Sequence, residues 1–559
     1  MIPSGYKEDT VFSAIPTDGS GDLSFTRASN GTRVNSAGLV EVTPWNLLQQ
    51  SETFDNATWT KTGIAVTANA SANPLTGLTN ADNLVAENVN NFHYINQAIT
   101  FTSDESTIFV YAKANGYTWL VIDTGLSNRF AYFNTTTGLV GTTGSSSTAT
   151  IESVGNGWYK CILSFTAIAG SSNIYLSVRN ADNGGSFTGN GTGGILVYGA
   201  QLNIGSTAKP YFPTTDRLNV PRLTYQNGGG GCPSLLLEKQ STNLVVQSND
   251  MTTWTNGAGT MTKNATTSPD GTNNALSFDN SGDCSTFASA SNGVYSWSLF
   301  VKQGTSATAS IDMSDGATGD VITTFTFSTK TFSGTSAGGS WSTPSASYID
   351  LGNGWYRITL TATKNAGSSI GHKIIASGSG YTYVYGAQLE ASSYPTSYIP
   401  TTSASATRVA DVAQKTGISS LFGTNQGTFF IDLVYYGSEQ FSYLFDITDS
   451  SNVNRFLMYD SNGSGLFYFY DSGYAVVDFI QFTKGQRYKI AVKYNSSGTI
   501  WYVNGVLKGT GTVSFAHQMS QIYLGIRYSL TDNTGMQVNQ TIVFPTALTS
   551  TELASLTTI

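Results

Sequence analysis

Short runs in which apolar and polar residues alternate recur along the whole chain, separated by clusters of Gly, Ser, Asn and Thr. In one run Tyr356, Ile358 and Leu360 point one way while Trp355, Arg357 and Thr359 point the other. That period of two belongs to a half-buried strand. Residues 107–113 and 295–302 read the same way. Near the C-terminus, Tyr488, Ile490, Val492 and Tyr494 face inward with charges mostly outward. A Ser496-Ser497-Gly498 turn then returns residues 500–503 as a hairpin partner, and Asn504-Gly505 marks the next tight turn. Residues 428–434, 522–527 and 540–544 supply further strands. One helical turn is predicted, where Thr549 and Glu552 form a capping box ahead of Leu553 and Leu556. The intervening loops carry no helical period.

The runs are organised as a duplication. Asn46-Leu47-Leu48-Gln49-Gln50-Ser51 answers to Asn243-Leu244-Val245-Val246-Gln247-Ser248, 197 residues later. Gly155-Asn156-Gly157-Trp158-Tyr159 recurs identically as Gly352-Asn353-Gly354-Trp355-Tyr356 at the same spacing. Val197-Tyr198-Gly199-Ala200-Gln201-Leu202 matches Val384-Tyr385-Gly386-Ala387-Gln388-Leu389, and Pro213-Thr214-Thr215 matches Pro400-Thr401-Thr402. Many short strands with frequent turns in each copy predict a two-sheet jelly roll. The organisation that follows is an N-terminal docking segment over 1–45, a first jelly roll over 46–218, a connector hairpin over 219–242, a second jelly roll over 243–405 and a third β-domain over 406–559. Each copy is preceded by a stretch running from Arg through a Gly turn to Glu, Arg33 to Glu41 and Arg222 to Glu238. An Arg–Glu pair across such a hairpin contributes under about 1 kcal/mol if exposed.

Composition narrows the function classes. Charged residues are 11% of the 559, less than half the roughly 25% of an average soluble protein. Net charge is −8 and no Lys/Arg run occurs, so the chain lacks a nucleic-acid footprint. No stretch approaches the roughly 18 apolar residues of a membrane span. The N-terminus reads as having no signal peptide, so an extracellular role requires lysis or assembly into a particle. The three cysteines, Cys161, Cys232 and Cys284, are too few and too scattered for a disulfide framework. Cys161 shares a strand face with Tyr159 and Leu163 and reads as a small buried hydrophobe.

Catalytic chemistry finds little support. A glycosidase needs two carboxylates across the scissile bond, whereas acids such as Asp312, Asp315 and Asp320 read as solvated loop acids. His93, His372 and His517 are too few and too far apart for a zinc site or a serine triad. The loop from Asp182 to Gly194 has oxygen ligands for calcium, but Asx turns in a glycine-rich loop account for it more simply. Gly189-Asn190-Gly191-Thr192-Gly193 lacks the lysine and helix of a phosphate loop. Aromatic residues are the better binding candidates, because sugars stack on flat rings: Trp119, Trp341, Trp501 and the Phe467-Tyr468-Phe469-Tyr470 run. Packing between domains or subunits is the competing use of such rings. No catalytic residue, metal ligand or cofactor is assigned, and no glycan-binding residue is named.

The stretch from Arg487 to Lys508, followed by Ala547-Leu548-Thr549-Ser550-Thr551-Glu552-Leu553, resembles the concanavalin A-like (laminin G-type) fold. The Gly-Asn-Gly-Trp-Tyr and Tyr-Gly-Ala-Gln-Leu repeats resemble the carbohydrate-binding-module-like jelly rolls of bacteriophage virion proteins. The opening, from Pro16 to Arg27, then Thr32 to Asn35 and Gly38 to Glu41, is similar to the N-terminal segment of phage fibre and decoration proteins. The family's jelly rolls often carry an Asp near a structural calcium in the last strand, where this chain has Gly199 and Gly386. The resemblance implies an all-β, non-enzymatic virion surface protein, a head fibre or capsid decoration, made in the host cytoplasm. It implies seating on other virion proteins through residues 1–45, weak adhesion to glycans or a host surface, and a homo-oligomer, a trimer favoured over a dimer. The alternatives are a tail fibre receptor binder or tail glycan depolymerase, and a bacterial surface adhesin.

Overall fold

The computed structural model describes residues 4–7, 10–13 and 23–559, apart from positions 28, 30, 44–45, 102–104, 210, 216–220, 226–228, 257–258, 280, 317–318, 376–378, 438–440, 450–454, 462, 464, 471–475 and 512–517. The fold is almost entirely β, built from multi-stranded antiparallel sheets packed as tandem sandwiches. Two compact units result: residues 44–220, and residues 1–43 together with 221–559.

The unit 44–220 is a sandwich of two six-stranded sheets. One runs in the order Leu139–Thr143, Phe130–Asn134, Trp119–Asp123, Gly170–Arg179, His93–Phe101, Thr60–Thr62. The other runs Ser147–Gly155, Trp158–Thr166, Glu105–Asn115, Gly194–Ile204, Thr79–Ala86, Ile64–Ala72. The second copy repeats this strand order throughout, from Thr331–Ala337 to Thr255–Asn256 in one sheet and from Trp341–Gly352 to Met261–Thr266 in the other. The alternation read from sequence is realised: Ile358 and Leu360 lie in the core with Tyr356 packed against it, and Cys161 is buried beside Leu163.

The repeated motifs turn out to be fasteners. Asn46 donates to the carbonyls of Ala200 (2.9 Å) and Phe212 (3.3 Å) and accepts from the amides of Leu48 and Leu202. Asn243 makes the same four bonds, to Ala387, Ile399, Val245 and Leu389. A buried amide with all its polar atoms satisfied ties the entry of each sandwich to its closing strand. Asn46→Ala strands two buried amides and two carbonyls, so it is expected to destabilise the unit 44–220 by about 3 kcal/mol or more. Urea unfolding followed by tryptophan fluorescence measures it. The Gly-Asn-Gly-Trp-Tyr motif is a two-residue hairpin turn, with Asn156 and Gly157 at φ +53° and +77° and Asn353 and Gly354 at +51° and +78°. Gly199 (φ +62°) and Gly386 (φ +61°) sit where the closing strand bulges, and a Cβ at Gly386 would lie 2.8 Å from the Phe300 ring. Backbone geometry therefore accounts for glycine in that strand.

The C-terminal sandwich draws its strands from three parts of the chain. Its first seven-stranded sheet begins with Leu223–Thr224 and Ser234–Leu237, which pair onto Gly535–Phe544, Gly427–Gly437, Arg487–Asn495, Gly498–Val503 and Val506–Gly511. Its second begins with Ser24–Thr26, which pairs with Val412–Lys415 ahead of Gln521–Leu524 and Ser442–Thr448. Phe25, Leu235 and Leu237 enter the same core as Tyr488, Ile490, Val492 and Tyr494. The helix is Ser550–Thr557, capped by Thr549 and Glu552 as read from the sequence, and its Leu553 packs on Phe430, Ala491 and Tyr502.

Five charged side chains lock these segments together. Asp411 pairs with Arg222 and, at 3.2 Å, with Arg27. Glu238 pairs with Arg222 at 2.7 Å and Arg408 at 3.5 Å, and its backbone amide donates to Asp411. All five are buried. Gly31 lets the guanidinium stems crowd together, since a Cβ there would lie 3.0 Å from Arg222 and 3.3 Å from Arg408. The Arg33–Glu41 pair also forms, at 2.8 Å and partly exposed. The Arg222–Glu238 pair is instead fully inside.

None of the three cysteines is in a disulfide; Cys161 and Cys284 are buried and Cys232 is exposed. Burial pushes the Cys161 thiol up, and that of Cys284 up to about 12. One thiol of three should therefore react with a thiol reagent in the native chain and all three in denaturant, as absorbance of the released chromophore will count.

Candidate functional site

The site is the outward face of the first sheet of the unit 44–220. Core residues Ile95, Leu120, Ile122, Ala131, Phe133, Leu176 and Val178 occupy alternate positions on its strands, so the residues between them turn outward. Strand register places them in rows. One row reads Thr60, Asn96, Tyr175, Asp123, Phe130, and the next Thr62, Tyr94, Ser177, Val121, Tyr132. Arg179, Trp119 and Asn134 form a third. Five aromatic side chains thus share one sheet face.

Their packing is defined. Tyr94 and Tyr175 meet edge to face at 5.1 Å, and Phe130 and Tyr132 at 6.1 Å. Trp119, Tyr94, Tyr175 and Phe130 stay half-buried, while Tyr132 is buried and donates to the Gly184 carbonyl at 3.2 Å. Polar groups lie between the rings. Asn96 donates to Asn173 at 3.0 Å. Arg179 stands over the Phe92 ring at 5.0 Å, and its buried Nε has no hydrogen-bond partner. Burial raises the Asp123 carboxyl, opposed by the Gly125 amide (2.8 Å) and by Arg179. At the border, Trp119 packs where a Cβ on Gly141 would lie, beside Asp182. Both carboxylate oxygens of Asp182 accept from Thr142, and Asn190 accepts from the amides of Thr192 and Gly193. Asn190 thus makes an Asx turn within the loop, whereas Asp182 ties the loop to the strand Leu139–Thr143.

The second copy supplies an internal control. With strand order and register matched, Trp119 becomes Ser310, Tyr94 becomes Ser285, Tyr175 becomes Gly371, Phe130 becomes Asp320 and Tyr132 becomes Ile322. The sandwich is built equally well without the five rings. In exchange the second face gains an exposed Phe287 and a charged centre, Lys373 lying 3.3 Å from both Asp312 and Asp320.

Several sequence candidates change role. Trp341 and Trp501 are core residues of their sandwiches, not binding rings, because they fall on the inward phase of their strands. Trp119 falls on the outward phase. Residues 467–470 lie in the strand Leu466–Tyr470, and their side chains are outside the described residues, as is His517. Asp312 is no solvated loop acid: it lies inside the strand Thr308–Ser314, where burial pushes its carboxyl up to about 7 against the pull of Lys373. Asp315 accepts from the Gly319 amide in its own loop and from the Ser340 hydroxyl 25 residues on, and Asp320 is exposed but opens the strand Asp320–Thr326. His93 bonds the Gly63 and Phe187 carbonyls, and burial lowers His372 to about 3. Among the described residues no group of three or more His, Cys, Asp or Glu is placed to hold a metal. Tyr94, Tyr175, Phe130, Tyr132 and Asp123 were missed; comparing outward positions of the two repeats would have found them.

Fold and face define a class, an all-β protein of tandem sandwiches with an aromatic sheet face. No family model matches the chain, and no curated protein matches it. Solved structures give distant, partial likenesses to lectin-like and carbohydrate-binding-module-like jelly-roll domains. The CBM40 of the Ruminococcus gnavus IT-sialidase, bound to α2,3 sialyllactose, is 16% identical over 26% of this chain and 92% of its own, with a TM-score of 0.22. The tandem CBM22-1–CBM22-2 of Paenibacillus barcinonensis Xyn10C is 13% identical over 63% and 98%, at 0.22. Mouse laminin α1 domains LG4-5 are 11% identical over 47% and 86%, at 0.18.

Proposed function

We propose that the chain is a non-catalytic carbohydrate-binding protein whose first sandwich holds sugar rings against the face of Trp119, Tyr94, Tyr175 and Phe130. One observation carries the reading: the duplicate sheet folds without these rings, so the fold does not require them. Sugars present apolar C–H faces to aromatic rings and hydroxyls to neighbouring polar groups, and Asp123, Asn96, Asn173 and Arg179 stand ready for the latter. Hydrolysis would use two carboxylates. Among the described residues this face has Asp123 alone, since Asp182 is occupied by Thr142, which favours binding without turnover. Calorimetric titration of the full chain with cellotriose, xylotriose, maltotriose, triacetylchitotriose and sialyllactose tests the reading, with reducing ends assayed in parallel. Heat of binding without new reducing ends supports it. Silence from all five, or release of reducing ends, overturns it.

The particle-surface setting belongs to the same proposal, supported by the low charge and by the phage-fibre resemblance of the repeats and the opening segment. Assembly as a homo-oligomer would turn weak single sites into avidity. Gold-labelled antibody against residues 415–559 on virus-like particles from the source separates a capsid position from a tail position. Unlabelled particles would remove the virion setting.

A further inference from the structure

The outer strand of a sheet can pair with another chain, and folded proteins usually shorten, bulge or charge it to prevent that. The two jelly rolls follow this rule at seven of their eight outer strands. Thr60–Thr62 and Thr255–Asn256 are too short to offer an edge. Ile64–Ala72, Met261–Thr266 and Thr331–Ala337 slip register against their neighbours. Leu139–Thr143 slips as well, and Asp182 accepts from its Thr142. Trp341–Gly352 is broken at Pro344, beside Thr343 at φ +49°, and its Asp350 is held by Lys330 at 2.9 Å.

The eighth, Ser147–Gly155, has no such protection. It keeps register with Trp158–Thr166 from Ser147 to Ser153 without a break. Its other side pairs with no strand, and among the described residues 148–153 make no backbone-to-backbone bond outside that pairing. Where the second copy has Pro344 and Asp350, this strand has Ser147 and Ser153. Its one charge, Glu152, lies opposite Lys160 of its own sheet. Exposed apolar side chains flank it: Val154, and Leu139 and Val140 on the strand that the turn at 144–146 joins to it.

The occupant that fits this edge is the same strand of a second copy. Antiparallel pairing about Thr150 sets Thr150 opposite Thr150, Ala149 opposite Ile151, Thr148 opposite Glu152 and Ser147 opposite Ser153. No like charges meet, and Thr opposite Thr is a favourable cross-strand pair. Ala149 and Ile151 already pack on the margin of the core, so their meeting would carry apolar contact across the joint. A two-fold interface requires this kind of self-complementarity. We propose that two copies of the chain join edge to edge through Ser147–Ser153, fusing their six-stranded sheets into one continuous sheet. The aromatic face lies on the other sheet of the sandwich, so it stays open on both copies. The joint gives the homo-oligomer of the proposed function a definite contact, and for its use in avidity it rests on that reading.

Sedimentation of the full chain at rising concentration is expected to reach twice the 59.3 kDa of one chain. Register is tested by cross-linking in a Cys232→Ser background, which removes the exposed thiol. Thr150→Cys should link two chains on mild oxidation, because directly opposite Cβ atoms lie about 4.5–5.5 Å apart. Thr148→Cys should not, since its counterpart lies four positions along the partner strand, about 13 Å away. Thr150 is exposed, so Thr150→Glu should leave the unfolding midpoint in place. It would set two carboxylates opposite each other beside Glu152 and should raise the dimer's Kd at least about tenfold. A single-chain mass at every concentration, a trimer, a dimer indifferent to Thr150→Glu, or cross-linking no faster through 150 than through 148 overturns the assignment. No sugar enters these measurements, so a failed joint spares the aromatic face and a silent sugar titration spares the joint.

Discussion

Asp411→Ala is expected to cost the unit of residues 1–43 and 221–559 about 3–5 kcal/mol, because removing one partner of a buried ion pair leaves its counter-charges uncompensated. Asp411 serves Arg222 and Arg27 directly, lies 3.8 Å from Arg408, and accepts the Glu238 amide. Its loss leaves three buried guanidinium groups, of which only Arg222 and Arg408 pair with Glu238. Burial already lowers Arg27 to about 10, in a site where Arg222 also repels it. Denaturant unfolding of the variant, read by the C-terminal unit's transition, gives the number directly; an unchanged midpoint would show the cluster to be ornamental. The same cluster sets an acid limit. Burial by itself would raise the Glu238 carboxyl, but Arg408 and Arg222, with the Ser397 hydroxyl, overcome it and hold it at about 2, against 4.5 ordinarily. A folded-state pKa depressed in this way contributes stability above about pH 4.5, and that contribution is lost as pH falls towards 2. The drop in stability between those values should therefore be smaller in Glu238→Gln than in the wild type.

The second large effect is on binding. The triple variant Trp119→Ser/Tyr94→Ser/Tyr175→Ser carries into the first sandwich the ringless character of the second, with serine at 175 because glycine would weaken the strand. Aromatic anchors at the centre of a binding face commonly contribute about 2 kcal/mol each, so sugar affinity should fall at least about 100-fold. Far-ultraviolet dichroism and the unfolding midpoint should move little, since Ser310, Ser285 and Gly371 occupy the matched positions of an intact sheet. Retained affinity would move the sugar site off this face. A collapsed midpoint would instead make the rings structural.

Much of the fold was legible because its rules are local. Side chains alternate with period two whatever the strand pairs with, so residues 356–360 and 488–494 could be assigned from spacing alone. Asn156-Gly157 and Asn353-Gly354 form turns because few residues adopt the positive φ those positions need. The Thr549–Glu552 cap closes within one helical turn. The duplication, too, is written in the chain.

Other features required the tertiary structure. Period two says that a strand has two faces and not which one is buried, and where both carry apolar residues composition cannot choose. Trp119, Trp341 and Trp501 therefore look alike in sequence, while one lies on an open sheet face and two are in cores. The buried ion cluster joins Arg27 to Asp411 across 384 residues and Arg222 to the same carboxylate across 189. Ser24–Thr26 and Ser234–Leu237 look like small, separate elements until they are seen completing the sheets of the C-terminal sandwich. Pairing between strands is set by edges and burial available only once the rest of the sheet exists. The sequence by itself determined the strands, their turns and their duplication; the packed structure decided which faces are closed, which remain open to a ligand, and which distant charges must be buried together.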